Sequence, residues 1–462
     1  MRARLGFLLC ILPAAVFLFW FVTQYHYVAP FGEQWGLVEA YARASRGATE
    51  WHDLWGQKNV HRIFVPKLVF FGAARFGYWN HLHECWTVFA VALVALAGQL
   101  YALRPVFSTL RAPTRGLAVV LVSGFVLSVS ASENWLWGLQ LQLVTCVAAT
   151  SWGLALLART RSTSGLVGAL VCGFVASFSY ANGLVLWPLG ALSLVLTGGV
   201  RRWRALAVWI VAAALVAWAF FHGYRLPSGG TAARDGAEVG GFVRHAHYVL
   251  VFLGNPVAIG TSSASFAGGA ALVTALAAGW RLVRGAAPHN DGPARSAFHT
   301  GLLFQLAGLS IALVVALGRA GKPLHQALSS RDVTLAGLFW CGLVLWLLAL
   351  IGLERSKEAS GPAPRGLRTV VALVLLGTVV GAAWRAPRGY ENGRLLSQQV
   401  RLARDAVRAT WPRVPQPVLK ALNYPRPDRV AKGLPILRER DLSLFRGIQK
   451  SGRRRRTRSA DR

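Results

Sequence analysis

The chain has 462 residues, is 54% hydrophobic and only 15% charged, with a mean hydropathy of +0.43. That excludes a soluble globule and points to an all-α, polytopic integral membrane protein. The net charge of +32 would suggest nucleic acid in a soluble protein. Here most of it lies between apolar runs and in the C-terminal tail, so membrane lipids with anionic headgroups are the expected counter-charge and no nucleic-acid partner is expected.

The chain opens Met1-Arg-Ala-Arg and enters an apolar run over 5–22 that no small-residue cleavage site closes, so it reads as a retained first span. Ten further apolar segments follow, at 85–103, 116–129, 141–157, 166–178, 184–197, 205–221, 266–280, 298–317, 333–353 and 367–384, giving about eleven transmembrane helices. Basic clusters around Arg2, Arg104–Arg115, Arg159, Arg201, Arg281 and Arg355–Arg368 fall on one side if the N-terminus is cytoplasmic, as expected for a multi-pass protein of the inner (plasma) membrane. Parity requires that only one of 247–259 and 266–280 crosses, the other being a half-helix or interfacial piece. Residues 1–384 then form the transmembrane domain. Residues 385–462 form a basic polar tail on the outside, with a helix over 391–409 and disorder from about Gly452.

The first outward loop, 25–84, is too rich in polar and aromatic residues to be a linker. Trp35, Val38 and Tyr41 recur at helical spacing, predicting an amphipathic helix on the membrane surface with Glu33 at its start; Trp51, Leu54 and Trp55 mark a second. The aromatics suit an interfacial belt. Glu33, a carboxylate beside an apolar wall, suits a general base or a solvated helix-start acid. His61 and Arg62 pair an imidazole with a guanidinium fork, as phosphate recognition requires, or snorkel at the interface. Asp53 and Asn59 join them as candidate substrate contacts.

Further along, Glu133, Asn134 and Gln140 flank Trp135 and Trp137 in the second outward loop. Amides and a carboxylate beside aromatics suit a sugar, or mark a tight interfacial turn. Ser179-Tyr-Ala-Asn-Gly183 reads as a hairpin turn. Arg319 and Arg331 end one span and begin the next, so both guanidinium groups can reach one outer cleft and hold a lipid-linked phosphate, with Asp332 as a neutralising neighbour. His245 and His247 lack a third ligand, so no metal site is expected from them. There is no phosphate loop, nucleophile elbow or His-Glu-x-x-His run. No cofactor is indicated, and participation of a divalent cation is left open.

The order of a cytoplasmic start, one span, an acid about ten residues later, two loop helices, a His/Pro segment and a basic stop resembles the multipass C-type glycosyltransferases. These are the protein mannosyltransferases, the lipid A aminoarabinose transferases and their bacterial relatives. The resemblance spans roughly the first 105 residues. It implies an inverting transfer on the outer face from a polyprenyl-phosphate-linked sugar to a lipid or glycan acceptor, with Glu33 as base. His61 and Pro66 fall where a His-Pro-Pro-like element would lie. Two departures stand out: Glu33 is followed by Gln34 rather than a second acid, and four residues intervene between His61 and Pro66. The rivals are a polysaccharide polymerase or ligase, and a lipid-linked sugar transporter or flippase.

Overall fold

The structure is a computed structural model that describes residues 2–76, 79–159, 162–197, 202–225, 240–285, 292–319, 322–358, 365–423 and 425–446. In chain order its helices are α1 (Arg2–Tyr25), α2 (Val38–Ala44), α3 (Trp51–Trp55), α4 (Phe64–Phe76), α5 (His81–Phe107), α6 (Ala112–Val126), α7 (Ser132–Leu136), α8 (Leu141–Arg159) and α9 (Thr163–Ser177). There follow α10 (Leu186–Thr197), α11 (Arg202–Phe221), α12 (Gly240–Gly254), α13 (Thr261–Gly285), α14 (Pro293–Arg319), α15 (Asp332–Glu358), α16 (Arg365–Thr410), α17 (Gln416–Leu422) and α18 (Pro427–Glu439). Among the described residues there is no β-strand.

Each apolar segment expected from the sequence coincides with a helix. Nine helices among the described residues are long and apolar enough to cross a membrane; Thr163–Ser177 and Ala181–Thr197 are shorter. The protein is therefore a polytopic helical membrane protein. α15 lies at its centre, with 94% of its most apolar window buried, while α11 has 11% buried and turns most of its surface to lipid. α14 and α15 approach closely because Gly301, Gly308 and Gly342 leave no side chain between the backbones. Where lipid is as apolar as leucine, such close approach replaces the hydrophobic effect as the packing force.

α12 is too short to be counted among the helices long and apolar enough to cross a membrane. Near its start Arg244 Nη2 donates to Lys322 O (3.1 Å), and just past its end Asn255 Nδ2 donates to Ser329 O (2.9 Å). Both ends thus meet the same short loop. α13 is long and apolar enough to cross a membrane.

The loops gather on one face. Tyr27 N bonds Leu136 O at 2.9 Å and Val65 N bonds Phe178 O at 3.0 Å. Gln57 Nε2 reaches Arg225 O at 2.7 Å, and Arg385 Nη1 reaches Ala258 O at 2.5 Å. The polar C-terminal segment joins this face, as the basic-cluster parity required. The helix expected over 391–409 is not separate: α16 runs unbroken from the last span, since no glycine-proline stop intervenes and Pro387 is tolerated within it. α17 and α18 then fold back onto the first loop. The expected disorder from Gly452 lies outside the described residues.

That packing alters the expected surface helix. Trp35, Val38 and Tyr41 are buried, with 3%, 1% and 2% exposure. Tyr41 stacks on Trp79 with centroids 3.8 Å apart, and Gly433 of α18 sits against Trp35 and Val38. The amphipathic stripe faces protein rather than lipid, because the C-terminal hairpin supplies an apolar cover that a local reading of the loop cannot see. Burying each ring stabilises the loop by roughly 1.5–3 kcal/mol.

Candidate functional site

The end of α14 and the start of α15 bring Arg319, Arg331 and Asp332 together. Arg319 Nη1 donates to Asp332 Oδ2 at 2.7 Å, and the Asp332 side chain is fully buried. Arg331 makes no side-chain hydrogen bond or ion pair among the described residues, and its Nε is buried without a partner, as is Asp332 Oδ1. Two guanidinium groups thus flank the fully buried Asp332 carboxylate.

The first loop closes over the cluster through His61. Its ring stacks on Tyr180 with centroids 3.9 Å apart, and its Nδ1 accepts from Ala181 N at 3.2 Å, which leaves the proton on Nε2. Burial, with Arg331 and Arg319 nearby, holds the His61 pKa down at about 3, so the imidazole is neutral at any physiological pH. Burial, with Asp332 nearby, pushes Tyr180 up to about 12. Tyr248 of α12 lies beside Arg319. The segment 179–183 is the hairpin turn expected from its sequence, and it also forms one wall of this cluster.

Glu133 and Asn134 reach the same turn from the second loop. Ser330 Oγ donates to Glu133 Oε2 at 2.8 Å; Asn134 Nδ2 donates to Arg331 O at 3.0 Å and Thr334 Oγ1 at 2.8 Å. Gln140 is buried at the start of α8, and among the described residues no hydrogen bond ties its side chain to the cluster.

Glu33 is half-buried at the start of the short helix Gly32–Leu37. Gly32, at φ +54°, turns the chain under the Trp137 ring, where a side chain would crowd the indole. Lys58 Nζ holds the Glu33 carbonyl at 2.5 Å, while the carboxylate has no hydrogen bond or ion pair among the described residues. Phe31 packs edge-on to Trp137 at 5.7 Å, so Glu33 adjoins the loop that carries Glu133. No hydrogen bond joins Glu33 to His61 or the arginines.

Three candidates are committed elsewhere. Arg62 spends its fork on backbone: Nε donates to Phe220 O (2.6 Å), Nη1 to Trp55 O (3.1 Å) and Nη2 to His222 O. It clamps the loop to the end of α11 rather than presenting donors to phosphate. Asp53 is bound by Arg43, with Nε to Oδ2 at 2.9 Å, and closes a capping box with Glu50. Asn59 adopts φ +50° in the tight turn between Lys58 and His61 and is exposed. For Arg62 and Asp53 the role depends on a partner outside the local motif.

The sequence reading passed over Glu84, at the head of α5. It is buried and accepts from Gln34 Nε2 (2.8 Å), Trp79 Nε1 (3.1 Å) and the Tyr41 hydroxyl, with His81 Nδ1 at 3.4 Å. It fixes the residue next to Glu33. A clue existed in the sequence: an acid at the first turn of a span, following Trp79 and His81. Among the described residues, no three His, Cys, Asp or Glu side chains converge as a metal site.

No protein family matches the sequence by profile, and no curated protein matches it. Among solved structures the fold is similar to ArnT from Cupriavidus metallidurans bound to undecaprenyl phosphate. The identity is 15% and the TM-score 0.42, over 94% of this chain and 77% of that one. It is also similar to the apo state of that protein, at 13% identity and TM-score 0.43, over 96% and 78%. Likeness at this level establishes neither family nor activity, so function is argued from the residues.

Proposed function

We propose that the chain is a membrane glycosyltransferase that moves a sugar from a polyprenyl-phosphate donor to a lipid or glycan acceptor, on the face where the loops gather. The observation that carries this reading is the pair of unmet buried atoms at one point, Arg331 Nε and Asp332 Oδ1. A buried polar group without a partner costs roughly 1–3 kcal/mol. A glycosyl phosphate meets both at once, its phosphate oxygens accepting from Arg331 and a sugar hydroxyl donating to Asp332. Tyr27, Asn134, Asn182, Tyr248 and Asn255, all near the loop face, likewise carry buried polar atoms without partners, as suits a chamber for a hydroxyl-rich ligand.

In this reading Arg331 holds the phosphate and stabilises the charge it gains as the bond to the anomeric carbon breaks. The acceptor oxygen forms the new bond to that carbon, the leaving phosphate keeps the electron pair, and Glu33 takes the acceptor's proton. Of the first-loop carboxylates, Glu50, Asp53 and Glu84 are engaged; Glu33 and the more exposed Glu39 are not. A base needs free lone pairs in reach of its proton. Neutral His61, with Nε2–H available, is placed to donate to the same phosphate.

The test is binding of undecaprenyl phosphate to purified protein in detergent. Arg331→Gln is expected to weaken it at least tenfold, with Arg62→Lys matching the parent wherever it remains folded. Unchanged binding in Arg331→Gln removes the phosphate site and with it the reading.

A further inference from the structure

We infer that the last crossing helix builds a second anion site beside the Arg331 cluster, one that takes a phosphate ester of a polyol headgroup; calling that ligand the acceptor rests on the transferase reading. α16 sets Arg385, Arg388 and Asn392 at helical spacing along one wall of a cavity of about 580 Å³, and Glu133, Ser330 and His325 lie among its other lining residues. Arg385 is 8% exposed. It donates from Nη1 to Ala258 O (2.5 Å) and from Nη2 to Leu328 O (3.3 Å), while its Nε stays buried without a partner. Those carbonyls fix the guanidinium in place. Arg388 is exposed to the cavity and has no hydrogen bond or ion pair among the described residues. The helix cannot drift from this wall, because a side chain at Gly389 would collide with the Val129 and Ser130 backbone.

The charges do not balance. Two guanidinium groups face one carboxylate, Glu133, which already accepts from Ser330 at 2.8 Å. One positive charge is left over even with His325 neutral. The lining also carries hydroxyls, including Ser130 Oγ, buried without a partner. A free guanidinium fork amid hydroxyls suits a phosphate ester on a hydroxylated headgroup better than a neutral sugar. Arg331 is not among the lining residues, whereas Ser330 is, so neighbouring residues of one turn serve two separate sites.

The experiment is equilibrium dialysis of the purified full-length protein in neutral detergent against labelled inorganic phosphate. The parent is expected to bind two per chain, Arg388→Gln one, Arg331→Gln one, and the double variant none. His325→Gln, also at an exposed position, should weaken the Arg388-dependent site only. Competition by phosphatidic acid in the micelle, against water-soluble glycerol 1-phosphate, then separates a lipid-borne ester from a soluble one, the better competitor by tenfold naming the source. Two phosphates retained by Arg388→Gln, or all binding lost with Arg331→Gln alone, overturns the second site. If instead Arg331→Gln keeps both and Arg388→Gln loses one, the donor assignment falls while the second site stands.

Discussion

Replacing Arg319 and Arg331 one at a time should give opposite results, although the two lie at equivalent helix ends. Arg319 is paired at 2.7 Å with Asp332, whose side chain is fully buried. Arg319→Gln therefore strands a carboxylate in a low-dielectric site, and removing one partner of such a pair costs about 3–5 kcal/mol. Arg331 has no partner, and its Nε is already unmet. Arg331 is only half-buried and makes no hydrogen bond that its loss would break, so Arg331→Gln should cost far less stability than Arg319→Gln. Function should show the reverse order. A charge-assisted hydrogen bond contributes about 1.5–3 kcal/mol, so Arg331→Gln should weaken donor phosphate binding about 10- to 150-fold. The assay is thermal unfolding in detergent alongside undecaprenyl-phosphate titration, with Arg319→Gln/Asp332→Asn as a third variant. Neutralising both partners should recover most of the stability that Arg319→Gln loses. Equal destabilisation by the two single variants, or equal loss of binding, would refute the division of roles.

Acidification should unfold the protein with a slope that His61 sets in part. Its pKa is about 3 folded against 6.5 for a free imidazole, so between those values the unfolded chain holds a proton that the folded chain lacks. Stability is full above pH 6.5 and falls by up to about 1.4 kcal/mol per unit on the way down to 3. His61→Gln should flatten that slope, leaving the similar contribution of His26, whose pKa burial holds at about 4; an unchanged slope would mean that His61 is not buried. Arg62→Gln should lose its three backbone clamps and expose the first loop to protease, with binding per folded molecule preserved; a selective binding defect would return Arg62 to the phosphate site. Glu84→Gln should destabilise, because the amide nitrogen would then confront donors from Gln34, Trp79 and Tyr41; parent-like unfolding would deny that network its weight. Cysteines placed at the exposed Asn59 and Gln416 should label from the same side of sealed vesicles, since both lie on the loop face; opposite-side labelling would break the topology.

The crossing helices were legible because twenty apolar residues have few other uses, and the alternation of basic clusters put the loops and the C-terminal segment on one face. The length of α16 was not, because hydropathy ends near Trp384 while the helix continues amphipathically to Thr410. Arg319 and Arg331 were legible as span-end charges, and His61, Glu133 and Asn134 as polar loop residues; the structure brings these side chains or their turns together. The engagement of Arg62 and Asp53 was not legible, because their partners are absent from the local motif. Phe220 and His222 are about 160 residues from Arg62, and Arg43 lies across a turn from Asp53. Arg385 and Arg388 carry no local signal, because the 128–132 and 324–330 loops that face them are distant in the chain.

The central claim is tested most directly by single-turnover transfer from a labelled polyprenyl-phosphate sugar to envelope glycolipids extracted from the source cells, comparing the parent with Glu33→Gln and Glu133→Gln. A positioned base contributes about 10²–10⁴-fold. Glu33→Gln should lose transfer by that factor while retaining donor binding and the parent's unfolding temperature, with Glu133→Gln much less affected. Near-parental transfer by Glu33→Gln, with the loss appearing in Glu133→Gln instead, would contradict the assignment of the base. No transfer by the parent from any prenyl-linked sugar would contradict the transferase itself.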